Sequence, residues 1–319
     1  MIVRWGLNEL GALLGELALA SPLLVASERW SDIDLPVAFE ERWTEVPSTR
    51  VAEAASRARD GVVALGGGSA IDLGKAISAE ASVPLLSIPT TYAGAEWTTY
   101  YGIRDPGRKM HGGGAGANLG GIVYEPRLTL DLPRAETVGT AMNALAHCAE
   151  ALYVEGHNAD GDEHALEGAR LIADHLPRVV DAPRDLTERT RLLEGAMNGG
   201  MALGKSMLAL GHAMAQAVGG RYGLPHGAMN AICLPAALEF NRDVAPDAIA
   251  RFGAAIGGDA IDRTRELARL GGYERLRDFG VPADDLPELA AAAAQRAGAK
   301  ANPRPTSAAD VETLFRSVW

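Results

Sequence analysis

Apolar positions in the first part of the chain change period again and again. "NELGALLGELALA" (8–20) carries leucines at helical spacing behind Asn8, a good N-cap residue, and predicts a helix; "SPLLVAS" (21–27) is a short apolar run bounded by turn formers and predicts a strand. "STRVAEAASRARD" (48–60) predicts a capped helix, "GVVALGGGS" (61–69) a buried strand ending in glycines, "AIDLGKAISA" (70–79) a helix, and "PLLSIPTT" (84–91) another strand. Helices alternating with buried strands build a parallel sheet covered by helices. After "GGIVYEP" (120–126), around Pro133, the pattern becomes long Ala- and Leu-rich helical periodicity as far as Trp319, with no strand. The expected organisation is therefore an α/β domain over residues 1–134 and an all-helical domain over 135–319. "GRKMHGGGAGANLGG" (107–121) is expected to be a mobile glycine-rich loop.

Composition supports two domains: 319 residues, 47% of them hydrophobic, suffice for a large core and exceed the usual single-domain length. Thirty basic against forty-one acidic residues leave a net charge of −11, which opposes nucleic acid and anionic membranes as partners and favours small-molecule chemistry. Cys148 and Cys233 form no framework, so a reduced cytoplasmic setting is expected. The apolar N-terminal stretch contains Glu9 and Glu16 and reads as neither signal peptide nor membrane span. Only Lys75, Lys109, Lys205 and Lys300 are lysines among the cations, and a retained ammonium suits phosphate or oxyanion contacts.

Three stretches could carry chemistry. In "VVALGGGSAIDLGKA" Gly66, Gly67, Gly68 and Ser69 lie between a strand and a helix N-terminus, where free amides favour a phosphate; neither GxGxxG nor a P-loop is present. Asp72 and Lys75, one turn apart, could brace that loop or form a surface ion pair. In "SIPTTYAGAEWTTYYGI", Thr90, Thr91 and Tyr92 follow a strand, at the sheet end where open α/β folds bind ligands. In "GTAMNALAHCAEALYVEG" (139–156), Asn143, His147 and Glu150 share one helical face. "LGHAMAQAVGGRYGLPHGAMNAICLP" adds His212 and Gln216 one turn apart, then His226 after an expected helix stop at Gly219-Gly220. Three histidines from three elements would suit iron or zinc if an acid completed the set, but the position one turn before His147 holds the neutral amide of Asn143.

These motifs, "GGGSAIDLGKA", "PTTYAGAEWT", "MNALAHCAEALY", "GHAMAQAVGGRYGLPHG" and "NPRP" (302–305), together resemble the iron-containing alcohol dehydrogenase family over nearly the whole chain. The resemblance implies a dehydroquinate synthase-like fold. It implies an N-terminal domain for NAD or NADP, a helical domain for the catalytic metal, substrate in the cleft between them, and a homodimer. Carried over by motif, Gly67, Gly68 and Ser69 resemble pyrophosphate contacts, Thr90, Thr91, Thr98 and Lys109 resemble contacts nearer the nicotinamide, with Asp72 beside them. His147, His212 and His226 resemble three metal ligands, and Asn143 stands where the fourth, normally Asp, would be.

"TTYAG" and the "MNA" that starts the ligand helix are more like the maleylacetate reductase branch, whose members are similar in having Asn there and in reducing an unsaturated keto acid without metal. The expectation is accordingly an NAD(P)H-dependent reductase that needs no metal, in which His147, His212, His226 and Asn143 form a polar catalytic cavity. A metal-dependent alcohol dehydrogenase using the three histidines, and a non-catalytic cofactor-fold protein, are the competing readings. "LPHGAMNA" is closer to the general alcohol dehydrogenase form, and Gln216 replaces a His usual one turn after His212. Fewer donors for a dianionic substrate are thus expected. Only Glu28 to Leu35 separate the first strand from the extended run "PVAFEERW", which predicts a truncated or differently connected first unit. Where a ribose-binding Asp is expected stand Ser27, Glu28 and Arg29, leaving NAD and NADP both open.

Overall fold

Six short strands, none with more than seven residues, form one parallel sheet in a computed structural model that describes residues 1–319. The strands are β1 (Ile2–Trp5), β2 (Leu23–Val25), β3 (Arg42–Trp43), β4 (Val62–Gly66), β5 (Pro84–Pro89) and, after the antiparallel hairpin β6 (Tyr101–Arg104) and β7 (Met110–Gly114), β8 (Asn118–Tyr124). Their order is β1-β8-β5-β4-β2-β3. Strands β2, β4 and β5 read as continuous apolar runs because they are covered on both faces. One face packs Leu10, Leu13, Leu14 and Leu19; the other packs Ile71, Leu73 and Ile77 of a helix that follows β4.

The chain divides into residues 1–91 with 95–129, which hold both sheets, and residues 92–94 with 130–319. In the first unit, α1 spans Leu10–Glu16, α2 Val51–Ala55 and α3 Gly68–Ala81. Several expectations are corrected here. Asn8 does not cap α1: its side chain turns to Glu9, and a short 3-10 turn, Leu7–Glu9, precedes the helix. Helix α2 has only five residues. The stretch 107–121 is no loop, since β7 and the start of β8 occupy most of it. A Cβ on Gly121 would come within 3.0 Å of Leu13, so glycine lets α1 lie close on β8. The first unit is connected differently, as expected: β2 and β3 pair in parallel across a link whose only helix is the 3-10 turn Glu28–Trp30.

The second unit is entirely helical: α4 (Arg134–Ala151), α5 (Ala159–Asp181), α6 (Leu186–Lys205), α7 (Leu210–Tyr222) and α8 (His226–Asn241), then five shorter helices ending with Ala308–Ser317. Helix α4 is buried almost all round from Thr137 to Ala151, including its one polar stripe of Asn143, His147 and Glu150. Helix α7 runs through Gly219 and Gly220, contrary to expectation; it ends at Gly223, whose φ of 68° supplies the left-handed C-cap.

Candidate active site

Strands β4 and β5 end side by side, Gly66 opposite Pro89, and the Thr90 amide donates to Gly66 O at 3.0 Å. The chain moves outward from β2 to β3 but inward from β4 to β5, so the ends of β2 and β4 mark the point where strand order reverses. Helix α3 begins there. Gly67 is its N-cap, no side chain caps it, and a Cβ on Gly68 would meet nothing within 4 Å. Gly67 itself packs on Thr91: a Cβ would come within 2.9 Å of the Thr91 methyl. Unblocked amides at Gly68 and Ser69 over open space fit the pyrophosphate of a dinucleotide.

Two of the other expected cofactor residues are committed elsewhere. Lys75, 1% exposed, donates to Asp72 at 3.0 Å, Thr98 Oγ1 at 3.1 Å and Tyr100 O at 2.9 Å. Asp72 also accepts from the Gly102 amide at 3.2 Å. Asp72, Lys75 and Thr98 together brace the base of the β6–β7 hairpin. Lys109 is exposed on that hairpin, far along the chain from the α3 N-terminus, and its backbone closes the turn through Asp105. Nearby, Glu96 is buried, accepts a 2.6 Å bond from the Tyr124 hydroxyl, and has its pKa raised by desolvation.

The second unit brings Asn143, His147, His212 and His226 together. His147 and His212 stack with ring centroids 4.9 Å apart, and His226 lies 5.7 Å from His212. The glycines explain how. Gly139 on α4 and Gly227 on α8 touch backbone to backbone, where no Cβ could fit on Gly227. One turn further, this contact sets Asn143 and Asn230 within 2.6 Å of each other.

The hydrogen-bond network fixes the amides. Asn143 Nδ2 donates to Ala93 O at 2.9 Å, which can only accept, and the same nitrogen faces His147 Nε2 at 3.3 Å. Asn143 Oδ1 therefore accepts from Asn230 Nδ2, which also faces His226 Nε2 at 3.1 Å. Both imidazoles thus present Nε2 as an acceptor to an amide. His212 is held differently: its Nδ1 meets Glu150 at 2.7 Å, and Glu150 also accepts from the Ala209 and His212 amides at 2.7 and 3.1 Å. This carboxylate, fully buried, caps the first turn of α7 while orienting the ring. Gly211 leaves room for it, since a Cβ there would lie 2.9 Å from Glu150 Oε1. His212 Nε2 is buried with no hydrogen-bond partner.

Glu150 thus explains the third polar position on the α4 face, and Asn230 is a site residue the sequence reading did not single out. Its signal was present: His226 and Asn230 are four apart, the reverse of Asn143 and His147. Gln216 lies outside the cluster, bonded to Arg296.

This donor set departs from that of a divalent-metal site: two of the three imidazole Nε2 atoms face amide N–H groups, and the position of the fourth ligand holds a neutral amide in place of a carboxylate.

Comparison with known proteins agrees with this architecture. Residues 137–319 match the C-terminal model of the Fe-containing alcohol dehydrogenase family, and residues 6–118 match the model for iron-containing alcohol dehydrogenase. A maleylacetate reductase from Burkholderia cepacia is 38% identical over 84% of this chain and 76% of its own length. Maleylacetate reductase 1 of Cupriavidus pinatubonensis is 35% identical over 95% of this chain and 89% of its own. The crystal structure of maleylacetate reductase from Agrobacterium tumefaciens superposes with a TM-score of 0.89 at 29% identity, covering 100% of this chain and 95% of that one. The fold is dehydroquinate synthase-like, as the motifs implied.

Proposed function

Since the chain belongs to the iron-containing alcohol dehydrogenase family, in its maleylacetate reductase branch, we propose that it reduces the carbon–carbon double bond of an unsaturated keto acid with NADH or NADPH and without a metal ion. Family membership makes it an NAD(P)-dependent oxidoreductase. The observation that supports metal-free chemistry is the Asn143–Asn230 amide pair, which occupies the histidine lone pairs a metal would need.

In this reading Gly67, Gly68 and Ser69 hold the dinucleotide's pyrophosphate at the start of α3, with Thr90 and Thr91 lining the adjoining strand end. Asp72, Thr98 and Lys109 act on the cofactor through the hairpin they support or occupy. The bound nicotinamide supplies a hydride to the alkene. Negative charge then develops on the conjugated carbonyl oxygen, and His212 is the group placed to meet it: Glu150 holds the ring through Nδ1 at 2.7 Å, and its Nε2 is engaged by no other residue. Asn143 and Asn230 hold His147 and His226 in one orientation beside it. On the same reading residues 1–134 serve the cofactor and 135–319 the substrate, and the protein is a cytoplasmic homodimer with small-molecule ligands only. No helix is long and apolar enough to cross a membrane.

The test is oxidation of NADH and NADPH with maleylacetate by protein purified without metal-affinity resin, assayed with and without EDTA and analysed for metals. Turnover that ignores EDTA, in protein with substoichiometric zinc and iron, is expected. About one metal per chain with EDTA-sensitive oxidation of alcohols would replace this reading with the alcohol dehydrogenase one. Failure to bind either dinucleotide at millimolar concentration would leave a non-catalytic protein.

A further inference from the structure

Arg296 lies over the same stripe of α7 that carries His212. Its Nη1 is 3.3 Å from Gln216 Oε1 and its Nη2 3.3 Å from Gln216 O, both at the long end for hydrogen bonds. A Cβ on Gly220 would come within 3.9 Å of Nη2. Residues 212, 216 and 220 are four apart and share one helical face, with about 6 Å of rise between successive members. His212 is buried, whereas Gln216 and Gly220 are partly exposed, so the stripe runs from the polar cluster outward, and the guanidinium sits along its outer part.

This guanidinium has no counter-charge. No carboxylate forms an ion pair with Arg296, whereas Arg221 on the same helix binds Glu288 at 2.6 Å. Its Nε is buried with no hydrogen-bond partner. Burial lowers its pKa with no acidic neighbour to offset the effect. A half-buried arginine with two stretched contacts and an unused donor has capacity for an anion, and the planar guanidinium is suited to a bidentate carboxylate.

We propose that Arg296 anchors a carboxylate of the substrate, about one helical turn outward from His212. The proposal rests on the reductase reading and narrows its substrate class to keto acids that carry a carboxylate at the end remote from the reacting alkene. It also supplies a cation where the replacement of a histidine by Gln216 suggested a loss of donors: Gln216 holds Arg296 in place.

Arg296→Met and Arg296→Lys in the full-length protein test this. With NADH saturating, the KM for maleylacetate is expected to rise about 10- to 100-fold in the Met variant, less in the Lys variant, with the KM for NADH unchanged. Binding of 3-oxoadipate, the saturated product, to the NAD+-loaded protein should weaken by a similar factor in calorimetry. Unchanged maleylacetate KM and 3-oxoadipate affinity in both variants would overturn the assignment. So would an equal loss for NADH, which would mark Arg296 as structural. Wild-type protein that binds 3-oxoadipate through Arg296 but reduces no maleylacetate would refute the reductase reading and leave the anchor standing. Absence of 3-oxoadipate binding at millimolar concentration would refute the anchor.

Discussion

Asn143→Asp exchanges one amide nitrogen for an oxygen and is expected to weaken the protein alone while creating affinity for zinc. In the native site this nitrogen donates to Ala93 O at 2.9 Å and reaches His147 Nε2 at 3.3 Å. A carboxylate oxygen can donate to neither, so two buried acceptors lose their partner and face another acceptor. At about 1–3 kcal/mol for each stranded group, and with the 3.3 Å contact the weaker, the metal-free variant should lose roughly 2–4 kcal/mol. For a unit of this size that is a fall of about 5–15 °C in melting temperature. Zinc added to the variant meets a carboxylate beside three imidazoles, a set of suitable chemistry. At a hundred times its Kd it should return about 2.7 kcal/mol. Scanning calorimetry of EDTA-treated wild type and variant, each with and without zinc, reads both effects. A variant that melts like wild type would refute the amide assignment, and zinc raising both proteins equally would refute the ligand set.

Three further outcomes are expected. Ser69→Glu places a carboxylate at the α3 N-terminus and should weaken NADH binding at least about 100-fold in a fluorescence titration; an unchanged Kd would remove this turn from the cofactor site. Gly227→Ala drives a Cβ into the Gly139 backbone and should cost about 1–3 kcal/mol, seen as a lower melting temperature together with loss of turnover. Full activity in that variant would show that the Asn143–Asn230 spacing is not critical. Desolvation raises the Glu96 pKa above its ordinary 4.5, so its folded form holds the proton more tightly than the unfolded chain does. The stability this lends is present below pH 4.5 and is lost as pH rises through the folded value. The melting temperature of Glu96→Gln minus that of wild type should therefore grow from pH 4.5 towards 7. A flat difference would mean that Glu96 titrates normally.

The core strands were legible because burial on both faces leaves a run of Val, Leu and Ile that little else explains: β2, β4 and β5 all fall where that pattern lies. Strand β8 was hidden because two glycines interrupt its run so that α1 can lie close, and β1 because it is short and carries Arg4. Helix α7 outlasted its predicted stop since Gly219 and Gly220 serve packing and the stripe beneath Arg296, while the left-handed turn fell to Gly223. In the site, Asn143 and His147 could be paired from spacing on their own helix, and His212 and His226 could be named from the motifs around them. The partnership of Asn143 with Asn230, of His212 with Glu150, and of Gln216 with Arg296 spans 87, 62 and 80 residues of chain. No local period encodes such contacts; they follow from how closely the helices approach.

The Gly139–Gly227 contact has a consequence for how the site comes into being. A pocket that gathers its side chains around an ion is finished only when the ion arrives, and its shape depends on supply. Here the cross-links between α4 and α8 are internal to the chain, and their spacing is set by two residues without side chains. On the metal-free reading proposed above, the cluster takes its final form in the same event that packs the helices, and chelation should leave its shape unchanged.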